Sequence, residues 1–397
     1  MSNINHKLYI EINDSNYIFL VGKMNEHNNF KVIYKSEAPI EKIEKNSIST
    51  LQKNFNLIKE NIYIIEQKLN FTFNELVLIL DNFSTKYINL TGFKKLNRSQ
   101  ISRENITYIL NTLKACVDEI EFEKTILHIF NSRFYLDGKE IYNLPIGLFG
   151  DFYAHELSFV LINTNDYKNL QNIFDKCNLK IKKIFTKSFI EGAYTCEKQL
   201  NIKNFFQIKI NQKNSKIFYY ENNSLKFEQL FNFGTDIIIK DISKITSLDL
   251  NIIKNILKKI KLKDNIAENE LIEENLLINC KHKKIKKKLI YDIALARINE
   301  IFEIILFKNI NFKYYKNFCK DIFLDLDDKP QSKCFEKIYS KVCSEYECHT
   351  NLTDSLFIKN TFNTVNKLVH YGWKSEAIPL TQSKKSLIAR IFDAIFE

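Results

Sequence analysis

Two stretches of this chain each carry three β-rich segments in succession, and helical sequence follows each stretch. The first occupies residues 7–35 and includes KLYIEI and NYIFLVGKM, which are separated by an Asn-Asp-Ser turn. The second runs from Asn204 to Ile239, and its third β-rich segment is SLKFEQLFNFG. A strand meander must be covered by other elements to bury its apolar face. Two such units in one chain therefore predict a duplicated α/β architecture.

Residues 85–164 have a different pattern and predict a small α+β unit of their own. The strand YINLTGF leads into a helix that begins near Ser99, for which the segment from Ser99 to Ser102 offers caps. The helix carries an apolar stripe at spacings of three and four, formed by Ile106, Ile109, Leu110 and Leu113. Two further strands follow.

A chain of 397 residues is longer than one hydrophobic core usually holds, so several subdomains are expected. We call the unit built on the first meander domain I, the unit built on the second meander domain II, and the small α+β unit the insertion subdomain. We predict them in this order: 1–84, the first half of domain I; 85–164, the insertion subdomain; 165–200, a return to domain I; 201–345, domain II, with a mostly helical and basic part at 245–307; 346–373, the final helix of domain I; and 374–397, a linker and a C-terminal amphipathic helix.

Composition excludes several classes of protein. The sequence contains no apolar run of about 18 residues, so no transmembrane helix is predicted. The N-terminus lacks the pattern of a secretory signal. Only eight glycines occur, and neither G-x-G-x-x-G nor G-x-x-x-x-G-K is present. The eight scattered cysteines match no zinc pattern, and we predict no metal site and no catalytic residues.

The formal net charge of +11 is compatible with nucleic acid, anionic lipid or an acidic partner. The densest basic run is Lys281–Lys288. No helix-turn-helix, zinc finger or RNA-binding aromatic motif accompanies it, so no nucleic-acid partner is expected.

The residues from Ser383 to Glu397 predict an amphipathic helix behind a polar linker. Lys384 and Lys385 precede it, and Arg390 lies on its polar half. A helix of about twelve residues is roughly 18 Å long, too short to span a bilayer core of ~30 Å. It can lie in a membrane surface, pack on its own domain or bind a partner helix. Its apolar half is formed by Leu387, Ile388, Ile391, Phe392, Ile395 and Phe396.

The segment LHIFNSRFYLDGKEIYNLPIGLFG, residues 127–150, resembles part of the bacterial cell-division FtsA family. The family pattern H-x-x-x-x-x-F-x-x-D-G-x-x-x-I-x-x-P-x-G is matched by His128, Phe134, Asp137, Gly138, Ile141, Pro145 and Gly147. Three more matches follow in order. Phe231–Ser243 is similar to the family's third strand of the second meander, Ala296–Ile305 is similar to its R-x-x-E helix, and the tail is similar to its membrane-targeting helix.

The resemblance implies an actin-like fold with a small insertion subdomain in place of the usual one. It also implies an adaptor that binds the C-terminal peptide of FtsZ and tethers it to the cytoplasmic face of the inner membrane at the division site. Recruitment of later division proteins and self-association into filaments would follow. The implied peptide-binding residues are Arg297 and Glu300, with Lys287, Lys288 and the apolar Ile301 beside them.

The implied nucleotide loops depart from the family pattern. In the first loop Glu11 and Asn13 stand at the family's aspartate and glycine, and in the second Lys209 and Asn211 replace an acid and a glycine. The third loop carries Asp327 and lacks glycine. Loops without glycine lose the backbone freedom that turns amides toward phosphate. We therefore expect no bound cofactor, with ATP and Mg²⁺ as the less favoured alternative.

Two other functions are compatible with the sequence. An active actin-like ATPase, of a filament-forming or pilus-assembly type, would hydrolyse ATP. A basic nucleic-acid-binding protein using Lys281–Lys288 would bind DNA in a salt-dependent manner.

Overall fold

A computed structural model describes residues 6–13, 16–24, 30–40, 48–81, 83–262, 266–277, 284–317, 319, 321–326, 333–345, 349–352 and 357–379. The chain forms two compact units. Unit 1 contains the described residues up to Lys198, the segment Asn222–Lys226 and the described residues from Ile358 onward. Unit 2 contains the remaining described residues, from Gln199 to Phe357.

Unit 1 is built on a five-stranded sheet with the order β3-β2-β1-β4-β9. Its strands are β1 (His6–Ile12), β2 (Asn16–Met24), β3 (Phe30–Pro39), β4 (Glu75–Leu80) and β9 (Lys180–Thr186). The first three strands form the predicted antiparallel meander, whereas β4 and β9 run parallel to β1. Five consecutive residues of β4 are buried, as expected for a parallel strand covered on both faces.

Four helices of unit 1 are α1 (Ile48–Leu69), α3 (Thr164–Asp175), α4 (Lys187–Lys198) and α10 (Phe357–Tyr371). The stripe of Ile58, Ile62 and Ile65 on α1 is buried in the core, which confirms the helical periodicity of this segment.

The insertion subdomain follows β4 and has a core of its own. It consists of β5 (Thr85–Gln100), α2 (Arg103–Ile120), β6 (Lys124–Leu136), β7 (Lys139–Ile141) and β8 (Phe149–Asn163). Ile109, Leu113 and Val117 of α2 are buried against this sheet. Helix α2 begins with a capping box, because Ser102 accepts from the Asn105 amide while the Asn105 side chain accepts from the Ser102 amide.

Unit 2 repeats the sheet of unit 1, with the order β12-β11-β10-β13-β14. Its strands are β10 (Asn204–Ile210), β11 (Ser215–Glu221), β12 (Ser224–Phe231), β13 (Asp321–Leu326) and β14 (His349–Leu352). Strand β10 is antiparallel to β11 and parallel to β13, as β1 is to β2 and β4. Strands β1 and β10 therefore occupy equivalent central positions, and the predicted duplication is confirmed.

The helices of unit 2 are α5 (Thr235–Thr246), α6 (Leu250–Lys259), α7 (Lys287–Phe302), α8 (Ile310–Tyr315) and α9 (Glu336–Glu345). A 3₁₀ turn covers Glu274–Leu276, and a π-helical turn, Glu303–Phe307, continues α7. The basic run enters α7 at Lys287, while residues 281–283 lie outside the described residues.

Three segments differ from the predictions. Residues 346–373 do not form one domain I helix, because β14 first adds to the sheet of unit 2 and α10 begins only at Phe357. The segment from 374 is not all linker, since β15 (Glu376–Pro379) pairs with β6. Phe231–Ser243 is not a third strand: β12 ends at Phe231, and α5 carries Asp236 and Asp241. Ile238 and Ile239 lie four and three positions before Ile242, which is helical spacing, and all three are buried on α5.

Candidate functional site

The first nucleotide-loop position of unit 1 is closed by an ion pair. Glu11 is the next-to-last residue of β1, and its side chain is only 5% exposed. The ammonium of Lys187 donates to its Oε1 over 2.6 Å, and the Lys187 side chain is 11% exposed. Each charge is thus neutralised inside unit 1, without an ion from solvent.

The position of this pair is that of a ligand site in other α/β proteins. Glu11 lies near the carboxyl end of β1, and Lys187 begins α4 directly after the parallel strand β9. Asp81, directly after β4, joins this edge through a hydrogen bond from its amide to the carbonyl oxygen of Ile12. Ligands of open α/β sheets bind outside the carboxyl ends of such strands. The buried pair therefore occupies the edge where a nucleotide phosphate and its metal would be expected.

Asn13 closes the hairpin between β1 and β2. Its side-chain oxygen accepts from the amide of Asn16 over 2.8 Å, and its own amide donates to the Asn16 carbonyl over 3.1 Å. The Asn13 amide is therefore used within the turn, where the family pattern would present a glycine amide to phosphate.

Unit 2 carries a second charge pair at the equivalent position. Lys209 is the next-to-last residue of β10, so it matches Glu11 of β1 in the repeated sheet. Its Nζ lies 3.8 Å from Oδ2 of Asp325, the residue opposite it on β13. Their side chains are 15% and 16% exposed, so this pair is longer and more accessible to water than the pair in unit 1.

The second nucleotide loop of unit 2, residues 211–214, folds onto the start of α5. The amide of Asn211 donates to the Asn214 carbonyl over 2.9 Å, and the two side-chain amides are joined over 2.8 Å. The first amides of α5 are also used, because Thr235 and Asp236 donate to carbonyl oxygens of Asn211 and Gln212. The first amides of a helix usually lack acceptors and can bind an anion. Here the amides of Thr235 and Asp236 already donate to the protein itself.

Gly234 permits this contact between the loop and the helix. A Cβ atom at this position would lie 2.2 Å from the Asn211 carbonyl oxygen, so any side chain would separate the loop from α5. The close approach, rather than an unusual backbone angle, requires glycine here.

In neither unit do these groups fit Mg·ATP. A phosphate loop needs unbonded amides, and Mg²⁺ needs carboxylate oxygens or ordered water. Glu11 is bonded to Lys187, and Lys209 faces Asp325. The amides of Asn13 and Asn211 in the loops, and the first two amides of α5, donate to carbonyl oxygens of the protein. No group of three His, Cys, Asp or Glu in the described part of the chain is arranged to hold a metal. Asp327 of the third loop lies outside the described residues.

The predicted peptide-binding residues lie along α7. Lys287 pairs with Glu270 at 2.5 Å, and Lys288 lies 3.4 Å from Asp292. Further along the helix, the guanidinium of Arg297 bonds to Asp241 of α5 and, over 2.5 Å, to Glu300. A partner would have to compete with these contacts.

The prediction of Ile301 as an apolar contact for the partner peptide is wrong, because its side chain is buried and only 2% exposed. It points into the core of unit 2, and only the opposite stripe of α7 is exposed. That stripe includes Leu289, Asp292, Ala296 and Glu300. Leu289, 41% exposed, is the large apolar residue of this surface. Leu289 lies on the same side of the helix as Glu300, and the sequence spacing alone indicates this. The family resemblance indicated only Ile301, the residue next to Glu300.

No protein-family model matches this chain. The cell division protein FtsA of Buchnera aphidicola subsp. Acyrthosiphon pisum is 24% identical over 410 residues, which cover 98% of this chain and 95% of that protein. FtsA of Neisseria meningitidis serogroup B is 19% identical over 75% of this chain and 72% of that protein. The chain is FtsA-like.

The fold of this FtsA-like chain is actin-like. A solved structure of the PilM-PilN type IV pilus biogenesis complex matches it with a TM-score of 0.51. The identity is 9%, and 88% of each chain is covered. At this identity the match supports the fold alone. The predicted resemblance and fold class are thus confirmed.

The C-terminal residues predicted to bind membrane, from Lys384 to Phe396, lie outside the described residues. No helix in the described part of the FtsA-like chain is long and apolar enough to cross a membrane.

Lys187 is the residue that the sequence did not indicate. It is separated from Glu11 by 176 positions, and no local pattern distinguishes it from the many other lysines of the chain. A signal was available only after the fold was assigned, since a lysine directly after the last parallel strand must lie at the ligand edge of the sheet.

Proposed function

We propose that this FtsA-like chain is a cell-division adaptor that tethers FtsZ to the cytoplasmic face of the inner membrane. In this proposal it also associates with itself and recruits later division proteins. The observation that carries the proposal is the similarity to FtsA over 98% of the chain.

In the proposed tether, the tail binds the membrane with its apolar half. Each large apolar side chain fully buried contributes ~1.5–3 kcal/mol, but partial burial and helix ordering reduce this sharply. Basic residues add about 1 kcal/mol each near anionic lipid, and Lys384, Lys385 and Arg390 are available. A single tail then binds weakly, and several tails on one assembly bind tightly through effective concentration.

Co-sedimentation with vesicles that contain anionic phospholipid tests the tail. We expect Ile391→Glu with Phe392→Glu to abolish sedimentation of the full chain with the vesicles. Asp393→Asn, a change on the polar half, is the matched control and should not weaken binding. Equal sedimentation of the double variant and the wild type would refute the tail as the membrane anchor.

The proposed FtsZ site is the exposed stripe of α7 around Arg297, Glu300 and Leu289. The peptide of FtsZ would exchange ion pairs with Arg297 and Glu300 and place an apolar side chain against Leu289. Exposed ion pairs contribute only about 0–1 kcal/mol, so Leu289 would supply much of the affinity.

Fluorescence anisotropy of a labelled FtsZ C-terminal peptide tests this surface. We expect Arg297→Glu to weaken binding at least about tenfold and Leu289→Ala about three- to tenfold. Lys313→Ala, an exposed change on α8, should leave the affinity unchanged. If the wild type binds and neither α7 variant affects it, the peptide binds elsewhere.

We further propose that the adaptor acts without bound ATP. The charge pairs at Glu11 and Lys209 support this, as do the amides of Asn211, Thr235 and Asp236, which donate to carbonyl oxygens within unit 2. An active actin-like ATPase is the alternative. Steady ATP turnover by the purified chain, lost on a substitution at Glu11 or Lys187, would favour the alternative.

A further inference from the structure

We propose that Lys187 is a built-in counter-ion that replaces bound Mg·ATP in stabilising the central strand of unit 1. The proposal deepens the proposed nucleotide independence. It assigns a residue to the task that a nucleotide and its metal perform in a nucleotide-binding fold, which is to neutralise the carboxylate at the end of β1.

Glu11 and Lys187 form a close and nearly buried ion pair in unit 1. A carboxylate at Glu11 is buried at the carboxyl edge of three parallel strands, where an unpaired charge is strongly unfavourable. Lys187 approaches it to 2.6 Å from the first turn of α4. Any Mg²⁺ that used Glu11 as a ligand or as a water acceptor would first have to displace this ammonium.

The position of Lys187 in the chain fixes where its ammonium lies. It follows β9 without an intervening loop, so the strand fixes where its backbone lies. The Thr186 side chain accepts from the amide of Phe189 over 3.3 Å and caps the start of the helix. The ammonium is therefore held by a strand end and a capped helix, rather than by a flexible surface segment.

Unit 2 provides an independent observation of the same kind. Its equivalent strand carries a lysine, Lys209, where β1 carries a carboxylate, and the opposite charge again comes from the protein, at Asp325. A fold that relied on Mg·ATP would leave these charges for the ligand. Here each repeat balances its own charge at the equivalent strand end.

Thermal unfolding of the full chain with and without Mg·ATP tests the proposal. We expect no change in the wild-type Tm at millimolar Mg·ATP. Lys187→Met leaves Glu11 buried and unpaired and should lower the Tm by roughly 10 °C. Glu11→Gln combined with Lys187→Met removes both charges and should recover most of that loss, because replacing a whole buried pair is often nearly neutral.

A matched control is the pair of Lys182 and Glu75 in the same sheet, which is 2.5 Å long but has side chains 42% and 54% exposed. Lys182→Met should change the Tm by about 1–2 °C at most. If Lys187→Met has an effect as small as this control, the counter-ion role is wrong. If Lys187→Met does not fold, the double variant still tests the proposal, since it must fold with a Tm near that of the wild type.

The change of Tm with Mg·ATP in the wild type and in Lys187→Met distinguishes the role of Lys187 from nucleotide independence. A saturable rise of the wild-type Tm with Mg·ATP that Lys187→Met abolishes would make Lys187 a phosphate ligand and overturn both. A rise that Lys187→Met leaves intact would overturn nucleotide independence and the replacement of ATP. Unchanged wild-type Tm with an unaffected Lys187→Met variant would overturn only the role of Lys187.

Discussion

The two repeats of this FtsA-like chain place a charge at the same point of the same sheet, but they surround it differently. In unit 1 the pair of Glu11 and Lys187 is 2.6 Å long and nearly buried. In unit 2 the pair of Lys209 and Asp325 is 3.8 Å long, and its two side chains are on average about twice as exposed. Buried charges depend on their partners far more than solvated ones. The first repeat should therefore be much more sensitive to a missing partner than the second.

Removing one lysine from each repeat tests this difference and has the largest expected effect. Lys187→Met should lower the free energy of unfolding by about 3–5 kcal/mol, since it leaves a buried carboxylate without its partner. Lys209→Met should cost about 1 kcal/mol or less, because water reaches Asp325. Urea unfolding of the two variants measures both. Equal losses would show that the two pairs are energetically alike despite their different burial.

The next largest expected effect is a loss of unfolding free energy in acid, caused by a histidine in unit 1. Burial lowers the pKa of His155, on β8 of the insertion subdomain, to about 4 from its ordinary 6.5. The ring is fully buried, and neither nitrogen has a hydrogen-bond partner among the described residues. The unfolded histidine therefore takes up a proton first as the pH falls. The stability is fully present above about pH 6.5 and is lost progressively toward pH 4, by about 3 kcal/mol.

Replacement of the imidazole checks this cause. His155→Leu should flatten the dependence of unfolding free energy on pH between 6.5 and 4, because it removes the group that titrates. Chemical unfolding at several pH values measures the slope. A slope that persists unchanged in the variant would assign the acid sensitivity to other groups.

The second repeat has its own sensitive point, at the contact between α5 and the loop 211–214. Gly234→Ala places a Cβ 2.2 Å from a backbone carbonyl oxygen and should cost about 1–3 kcal/mol. Gly92→Ala is a matched control in unit 1. Its Cβ would meet the Cγ2 methyl of Ile109 at 2.6 Å, a side-chain atom and not backbone, so the loss should be smaller. The reverse order in thermal unfolding would contradict a rigid loop contact at α5.

The sequence predicted what depends on local pattern. The alternation and spacing of apolar residues predicted both meanders, the insertion subdomain and the buried stripe of α1. Pairings between distant positions were not predictable, and so Lys187 and the strand β15 beside β6 were missed. The side of a helix that faces solvent was also missed at Ile301, because the R-x-x-E spacing identifies the helix and not the stripe that its neighbours cover.

The smallest expected effect concerns the start of α2, which is closed in a different way from the start of α5. At α2 the cap is a side chain, Ser102, in exchange with Asn105. At α5 it is the backbone of residues 211–214. A side-chain cap can be lost without moving the chain, so Ser102→Ala should cost about 1 kcal/mol. Ser102→Asp, which keeps an acceptor at the cap, should recover most of this loss in urea unfolding. A loss for Ser102→Ala as large as that for Gly234→Ala would mean that both helix starts depend equally on their caps.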